Sequence, residues 1–101
     1  MQAYALEGKK ALVTGGKRRI GRGIALALAE AGCDVGINDL NHDEDGDETL
    51  RLVRAMGREA EFFSGDISDK RQVEKLFTDF LSRFGRIDIL VNLSLIHISE
   101  P

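Results

Sequence analysis

The feature that most constrains this chain is the stretch from Ala11 to Ala25, Ala-Leu-Val-Thr-Gly-Gly-Lys-Arg-Arg-Ile-Gly-Arg-Gly-Ile-Ala. Ala11 to Val13 is apolar, and a glycine-rich turn follows it. A helical pattern opens near Ile20, with Ile24, Leu28 and Ala31 on one face. Strand, tight turn and helix make the first half of a βαβ unit. Such a turn gathers backbone N–H groups and the positive end of a helix dipole at one point, where a pyrophosphate would sit. Gly15 and Gly16 allow a sharp turn, and Gly21, lacking a Cβ, lets the helix pack tightly on the sheet.

An acid at a suitable distance strengthens this reading. Asp39 ends the next apolar run, 18 positions past Gly21. A carboxylate there accepts hydrogen bonds from a ribose 2′-OH. Gly16 and Gly21 also have the spacing of a P-loop, but Arg22 and Gly23 stand where its Lys and Ser or Thr belong. With no hydroxyl ligand for Mg²⁺, an NTPase reading is set aside.

The remaining elements alternate. Lys10 to Thr14 reads as a strand buried on both faces, and Ile20 to Ala31 as the first helix, stopped by Gly32. Asp34 to Asn38 is the second predicted strand, interrupted by Gly36, which allows close packing or is merely tolerated. Leu40 to Asp47 is a polar loop, and Glu48 to Met56 a second helix. A third strand spans Glu59 to Ser64, and Ser68 is a plausible N-cap for a helix reaching Phe84. Val73, Leu76, Phe77, Phe80, Leu81 and Phe84 recur at steps of three and four, which predicts a core-facing stripe. Ile87 to Asn92 is the fourth strand.

This βαβαβαβ order predicts an α/β fold: a Rossmann-type parallel sheet in order 3-2-1-4, with right-handed crossovers and helices on both faces. Ligands of such sheets bind at the carboxyl ends of the strands, beside the switch point. The glycine turn, Asp39, Asp66 and Asn92 all end or follow strands, so they converge on one edge. Two of them have plain alternatives. Asp66 also reads as a turn cap, and Asn92 as an ordinary strand-end residue.

Thr14-Gly-Gly-Lys-Arg-Arg-Ile-Gly21 resembles the Thr-Gly-x-x-x-Gly-x-Gly turn of the short-chain dehydrogenase/reductase family, with Arg19 where the middle glycine is usual. Asp66-Ile67 resembles that family's adenine contact, and Leu90-Val-Asn92 the start of its Asn-Asn-Ala-Gly motif. The resemblance covers roughly residues 6 to 92. It implies the cofactor-binding half of an NAD(P)-dependent oxidoreductase that interconverts an alcohol and a ketone. Overall likeness is greatest to 3-oxoacyl-acyl-carrier-protein reductases, although sugars and simple alcohols stay open as substrates. Gly15, Lys17, Arg18, Arg19, Ile20 and Gly21 are the candidate cofactor contacts of the turn; Asp39, Asp66, Ile67 and Asn92 are those of the other strand ends.

The family's catalytic Ser, Tyr and Lys find no match. The one tyrosine, Tyr4, has no Lys four positions later, so no catalytic residue is assigned and these 101 residues are expected to be inactive alone. Residues 1–92 are expected to be half of the dinucleotide domain. Residues 93–101, Leu-Ser-Leu-Ile-His-Ile-Ser-Glu-Pro, depart from the family's continuation and resemble sequencing-adapter read-through, so a non-native tail is expected. The resemblance implies a homo-oligomeric full-length relative whose subunit-pairing helices are missing here, so native assembly is not expected; the open fourth-strand edge invites aggregation and predicts a marginally stable or insoluble chain. Two other classes stay in view: a non-catalytic nucleotide-binding or regulatory module, and a flavodoxin-like phosphate binder. Asp39 argues against the last, since a flavin mononucleotide site needs no diol acceptor there.

Charge bears on the choice of dinucleotide. Asp39 and the acidic loop behind it would repel a 2′-phosphate, whereas Lys17, Arg18 and Arg19 would attract one. Like charges about 4 Å apart repel by roughly 1–4 kcal/mol, so NAD is predicted over NADP. The net charge of −3 offers no basic surface for nucleic acid. Apolar runs are short, with neither a membrane span nor a secretory signal, and the lone Cys33 reads as a small buried residue; a cytoplasmic setting is expected. The acidic loop lacks EF-hand spacing and reads as a solvated lead-in to a helix, with His42 a surface residue and no metal site.

Overall fold

The computed structural model describes residues 5–17 and 19–93. Arg18 and most of the expected tail therefore lie outside the described residues. The elements are β1 Lys10–Thr14, α1 Ile20–Glu30, β2 Asp34–Asp39, α2 Glu44–Ala55, β3 Ala60–Ser64, α3 Lys70–Phe84 and β4 Ile89–Asn92. All pairings are parallel, in order β3-β2-β1-β4.

Alternation along the strands builds two cores. Ala11 and Val13 of β1, with Val35 and Ile37 of β2, join Ala25, Ala29, Leu50 and Val53 from α1 and α2. Leu12 points the other way, to Phe63, Leu76, Phe80 and Phe84 beneath α3. A strand sandwiched between helix layers must be apolar on both faces, which is why β1 shows no polar alternation. Gly36 is needed for packing: a Cβ there would meet the Phe80 ring at 2.5 Å and the Phe63 ring at 2.9 Å. Phe80 is fully buried, and truncating it to alanine would cost about 3–5 kcal/mol.

Several boundaries differ from the sequence reading: α1 and α2 end and β3 begins one residue inside it, β2 runs one residue further, and three others have a cause in side-chain bonding. Helix α2 begins four residues early, at Glu44, because the Asp43 side chain accepts from the amides of Asp45 and Gly46. Asp69, not Ser68, caps α3 by accepting from Arg71 N. Strand β4 begins at Ile89, because the carboxylate of Asp88 is taken by the Lys10 amide and by Arg86. In α3, Leu81 turns outward at 46% exposure, so the buried stripe is Leu76, Phe80 and Phe84, with Val73 and Phe77 half-buried. Among the described residues, no helix is long and apolar enough to cross a membrane.

The register positions the site. Thr14 stands level with Asn38 on one side and Asn92 on the other, and Asp39 is level with Ser64. The carboxyl ends of all four strands therefore finish together.

Candidate functional site

The turn after β1 is closed from within. Gly15 has φ 72°, and the amides of Gly15 and Gly16 donate to the Asn38 carbonyl at 2.7 and 3.2 Å. Those two donors are thus spent on β2, contrary to the expectation of an open turn. The N-terminus of α1 is different. Helices α2 and α3 are capped by Asp43 and Asp69, whereas α1 has no side-chain cap. The first-turn amides of a helix have no intrahelical acceptor, so this is where the fold presents donors and a positive dipole end together. Gly21 makes the approach possible: its Cβ would lie 1.9 Å from the Gly15 carbonyl oxygen and 2.7 Å from the Gly16 Cα.

Arg19 is the N-cap of α1, with φ 57° and ψ −129°. A side chain is strained in this left-handed region, at a cost of about 1–3 kcal/mol. The backbone keeps a glycine-like path although the residue is arginine. Its neighbour Ile20 is 73% exposed, a large apolar side chain at the mouth of the crevice.

Lys17 does not face the crevice as a loose cation. It is buried, and its Nζ donates to Asp43 Oδ2 at 2.9 Å and to the Asn41 carbonyl at 3.4 Å. Its own carbonyl accepts from Arg22 Nε and NH2 at 3.2 and 3.0 Å and from Thr49 Oγ1. Arg22 also donates to Thr49 Oγ1 at 2.8 Å and to the Asp45 carbonyl at 3.0 Å. The turn is therefore stitched to α2 by a lysine, an arginine and a buried threonine. The Lys17 bond and the Gly46 amide hold the Asp43 carboxyl below the ordinary carboxylate value.

The other strand ends meet the turn at the same edge. Asp39 Oδ1 accepts from the Leu40 amide at 2.9 Å, and Leu40 is exposed. Asp66 Oδ1 accepts from the amide and hydroxyl of Ser68 at 2.9 and 2.7 Å, which lowers its pKa. The turn-capping alternative for Asp66 thus holds for one oxygen; Oδ2 takes no bond among the described residues. Thr14 Oγ1 donates to Asn92 Oδ1 at 2.9 Å and accepts from Leu93 N at 3.1 Å, tying the ends of β1 and β4. Ile67 packs on the α3-side core and lines a cavity of about 180 Å³ with Thr14, Val73, Leu76, Leu90 and Asn92.

Among the described residues there is no cluster of His, Cys, Asp and Glu able to hold an ion. His42 is stacked on Phe62 with ring centroids 4.4 Å apart, and its Nε2 is 2.7 Å from Asp47 Oδ1. Cys33 is buried, and burial, with help from Asp34 and Asp88, pushes its thiol pKa up.

The uncapped start of α1, the tight glycine turn and the polar strand ends thus share one edge of the sheet. A family model described as short chain dehydrogenase matches residues 9–100. The chain belongs to this family. It is 42% identical over 96 residues to a hydroxynaphthalene reductase of Aspergillus fumigatus, covering 95% of this chain and 35% of that protein. It is 42% identical over 93 residues to a 2-dehydro-3-deoxy-D-gluconate 5-dehydrogenase of Escherichia coli, covering 91% and 35%. A crystal structure of a short chain dehydrogenase from Mycobacterium paratuberculosis bound to NAD matches with TM-score 0.78 and 31% identity, over 84% of this chain and 36% of that one. The chain spans about a third of the length of the relatives it matches.

In this short-chain dehydrogenase chain, the sequence reading missed Arg22, Thr49, Asn38 and Asp43. Asn38, which donates to the carbonyls of Phe63 and Gly65 at 2.8 and 3.3 Å, left a faint signal as a polar residue closing an apolar run. Asp43 left a clearer one, an Asp immediately before a helix. Arg22 and Thr49 left none, because their contact spans 27 positions.

Proposed function

We propose that this chain is the dinucleotide-binding half of an NAD(P)-dependent oxidoreductase that interconverts a secondary alcohol and a ketone. The observation that carries the reading is the start of α1, uncapped by any side chain, beside a turn where a Cβ on Gly21 would strike the Gly15 carbonyl. A pyrophosphate fits such a start, since it accepts from first-turn amides and is favoured by the dipole. Exposed Ile20 supports an apolar contact with the nicotinamide half. Asp39, half-buried at the end of β2, is proposed to accept from the adenosine ribose, and Leu40 and Ile67 to flank the adenine. Asp66 Oδ2 and Asn92 complete that end of the crevice. When bound, the nicotinamide supplies hydride transfer at carbon.

NAD is the proposed partner rather than NADP. Asp39 would lie against a 2′-phosphate, and Lys17 is already paired with Asp43. The substrate is a small molecule of the alcohol or ketone class; overall likeness keeps a 3-oxoacyl thioester first, and the names of the relatives add phenolic and sugar-acid carbonyl compounds. No Tyr-x-x-x-Lys occurs in these 101 residues, so binding without turnover is expected from them. The non-catalytic module gains no observation in its favour.

Titrating the folded chain with NADH and with NADPH, and following heat or fluorescence, tests the reading. Saturable binding with tighter NADH is expected. Tighter NADPH would overturn the cofactor preference, and failure of a folded chain to bind either would overturn the function.

A further inference from the structure

We propose that Asp43 is a specificity-determining residue: by holding the Lys17 ammonium, it withholds from a 2′-phosphate the one described cation of the turn that is placed against the loop leaving Asp39. The inference rests on the dinucleotide reading above and deepens it.

The geometry divides Asp43 between two tasks. Oδ1 accepts from the amides of Asp45 and Gly46 at 3.1 and 3.2 Å and caps α2. Oδ2 lies 2.9 Å from Lys17 Nζ. The lysine side chain is 11% exposed. Its second acceptor is the carbonyl of Asn41, two residues past Asp39. A phosphate on the ribose that Asp39 grips would therefore approach this ammonium. Asp43 answers that charge first.

The other cations of the described turn are differently placed. Arg22 is committed to the Lys17 carbonyl, Thr49 and Asp45. Arg19 is exposed at the strained N-cap. Lys17 is the one whose ammonium reaches the loop after β2.

Because the two carboxylate oxygens act separately, charge can be removed while the cap stays. Asparagine and serine are both good N-caps. In Asp43→Asn the cap oxygen remains, and an amide replaces the oxygen that held Lys17. The experiment measures dissociation constants for NADH and NADPH in the wild type, Asp43→Asn, Asp43→Ser and the double variant Lys17→Met, Asp43→Asn, with thermal melts alongside. Expected is a shift in the ratio toward NADPH of about tenfold in Asp43→Asn and Asp43→Ser, carried mainly by NADPH. The double variant is expected to lose that shift. An unchanged ratio, a parallel change in both constants, or a shift that survives Lys17→Met would overturn the proposal. Absence of binding of either dinucleotide to folded wild type would instead overturn the reading beneath it. If Asp43→Asn melts early, Asp43→Ser gives the same ratio test with a different cap.

Discussion

A Cβ on Gly21 would stand 1.9 Å from the carbonyl oxygen of Gly15, well inside van der Waals contact. Neither atom is on a flexible side chain, so the turn or the helix must move. Gly21→Ala is expected to cost about 1–3 kcal/mol of stability, near the top of that range. NADH binding should weaken at least about tenfold, because the displaced turn no longer aligns with α1. Urea denaturation and NADH titration check this; a variant with the wild-type midpoint and affinity would show that the contact relaxes freely.

Arg19 is the one described non-glycine residue with positive φ, at 57°. Replacing it with glycine relieves strain of about 1–3 kcal/mol. Glycine also makes the unfolded chain more flexible, at about 0.4–1 kcal/mol, so Arg19→Gly should gain about 1 kcal/mol net. The denaturant midpoint should rise; a fall would mean the arginine side chain makes a contact that outweighs its backbone.

Thr49 is fully buried, and its hydroxyl serves the Lys17 carbonyl and Arg22 Nε together. Thr49→Val keeps the shape and removes both bonds. A buried group left unsatisfied costs about 1–3 kcal/mol, so the variant should unfold at lower urea. Since Lys17 anchors the turn, a matching loss of NADH affinity is expected. A stability loss with unchanged affinity would confine Thr49 to the packing of α2.

Asp34 predicts an acid-side dependence. Burial works to raise its carboxyl, but the Lys10 bond at 2.6 Å, the Glu59 amide at 2.9 Å and the charges of Lys10 and Arg58 outweigh it, so the folded pKa is lowered from 3.8. A depressed carboxyl contributes stability that is complete above the unfolded value and is lost as pH falls through the folded one. Unfolding free energy should therefore drop below about pH 4. In Asp34→Asn that slope should flatten while neutral-pH stability falls. An unchanged acid limb in the variant would assign the dependence to other carboxylates, such as Asp66 and Asp88, which are also lowered.

Much of the fold was legible because its signals are local. The apolar run at β1, the glycine stops and the three-and-four spacing of Leu76, Phe80 and Phe84 are read within a few residues of each other. Helix α2 began earlier than expected because Asp43 competes for its first amides, a choice made by capping rather than by apolar spacing. The candidate positions at the strand ends were legible as positions. Asp66 holding Ser68, two positions on, was legible as a turn cap; Asn92 held by Thr14 and Lys17 held by Asp43 were not, because they join segments that meet only in space.

By itself the order of residues determined that this chain alternates strands and helices, that glycine rather than any larger residue stands at positions 15, 21 and 36, and that Asp39 ends the second apolar run. Tertiary structure alone decided which charges remain to meet a ligand. Ion pairs and hydrogen bonds act over a few ångströms of space, and the 26 positions between Lys17 and Asp43 carry no record of that distance until the sheet and α2 bring them together.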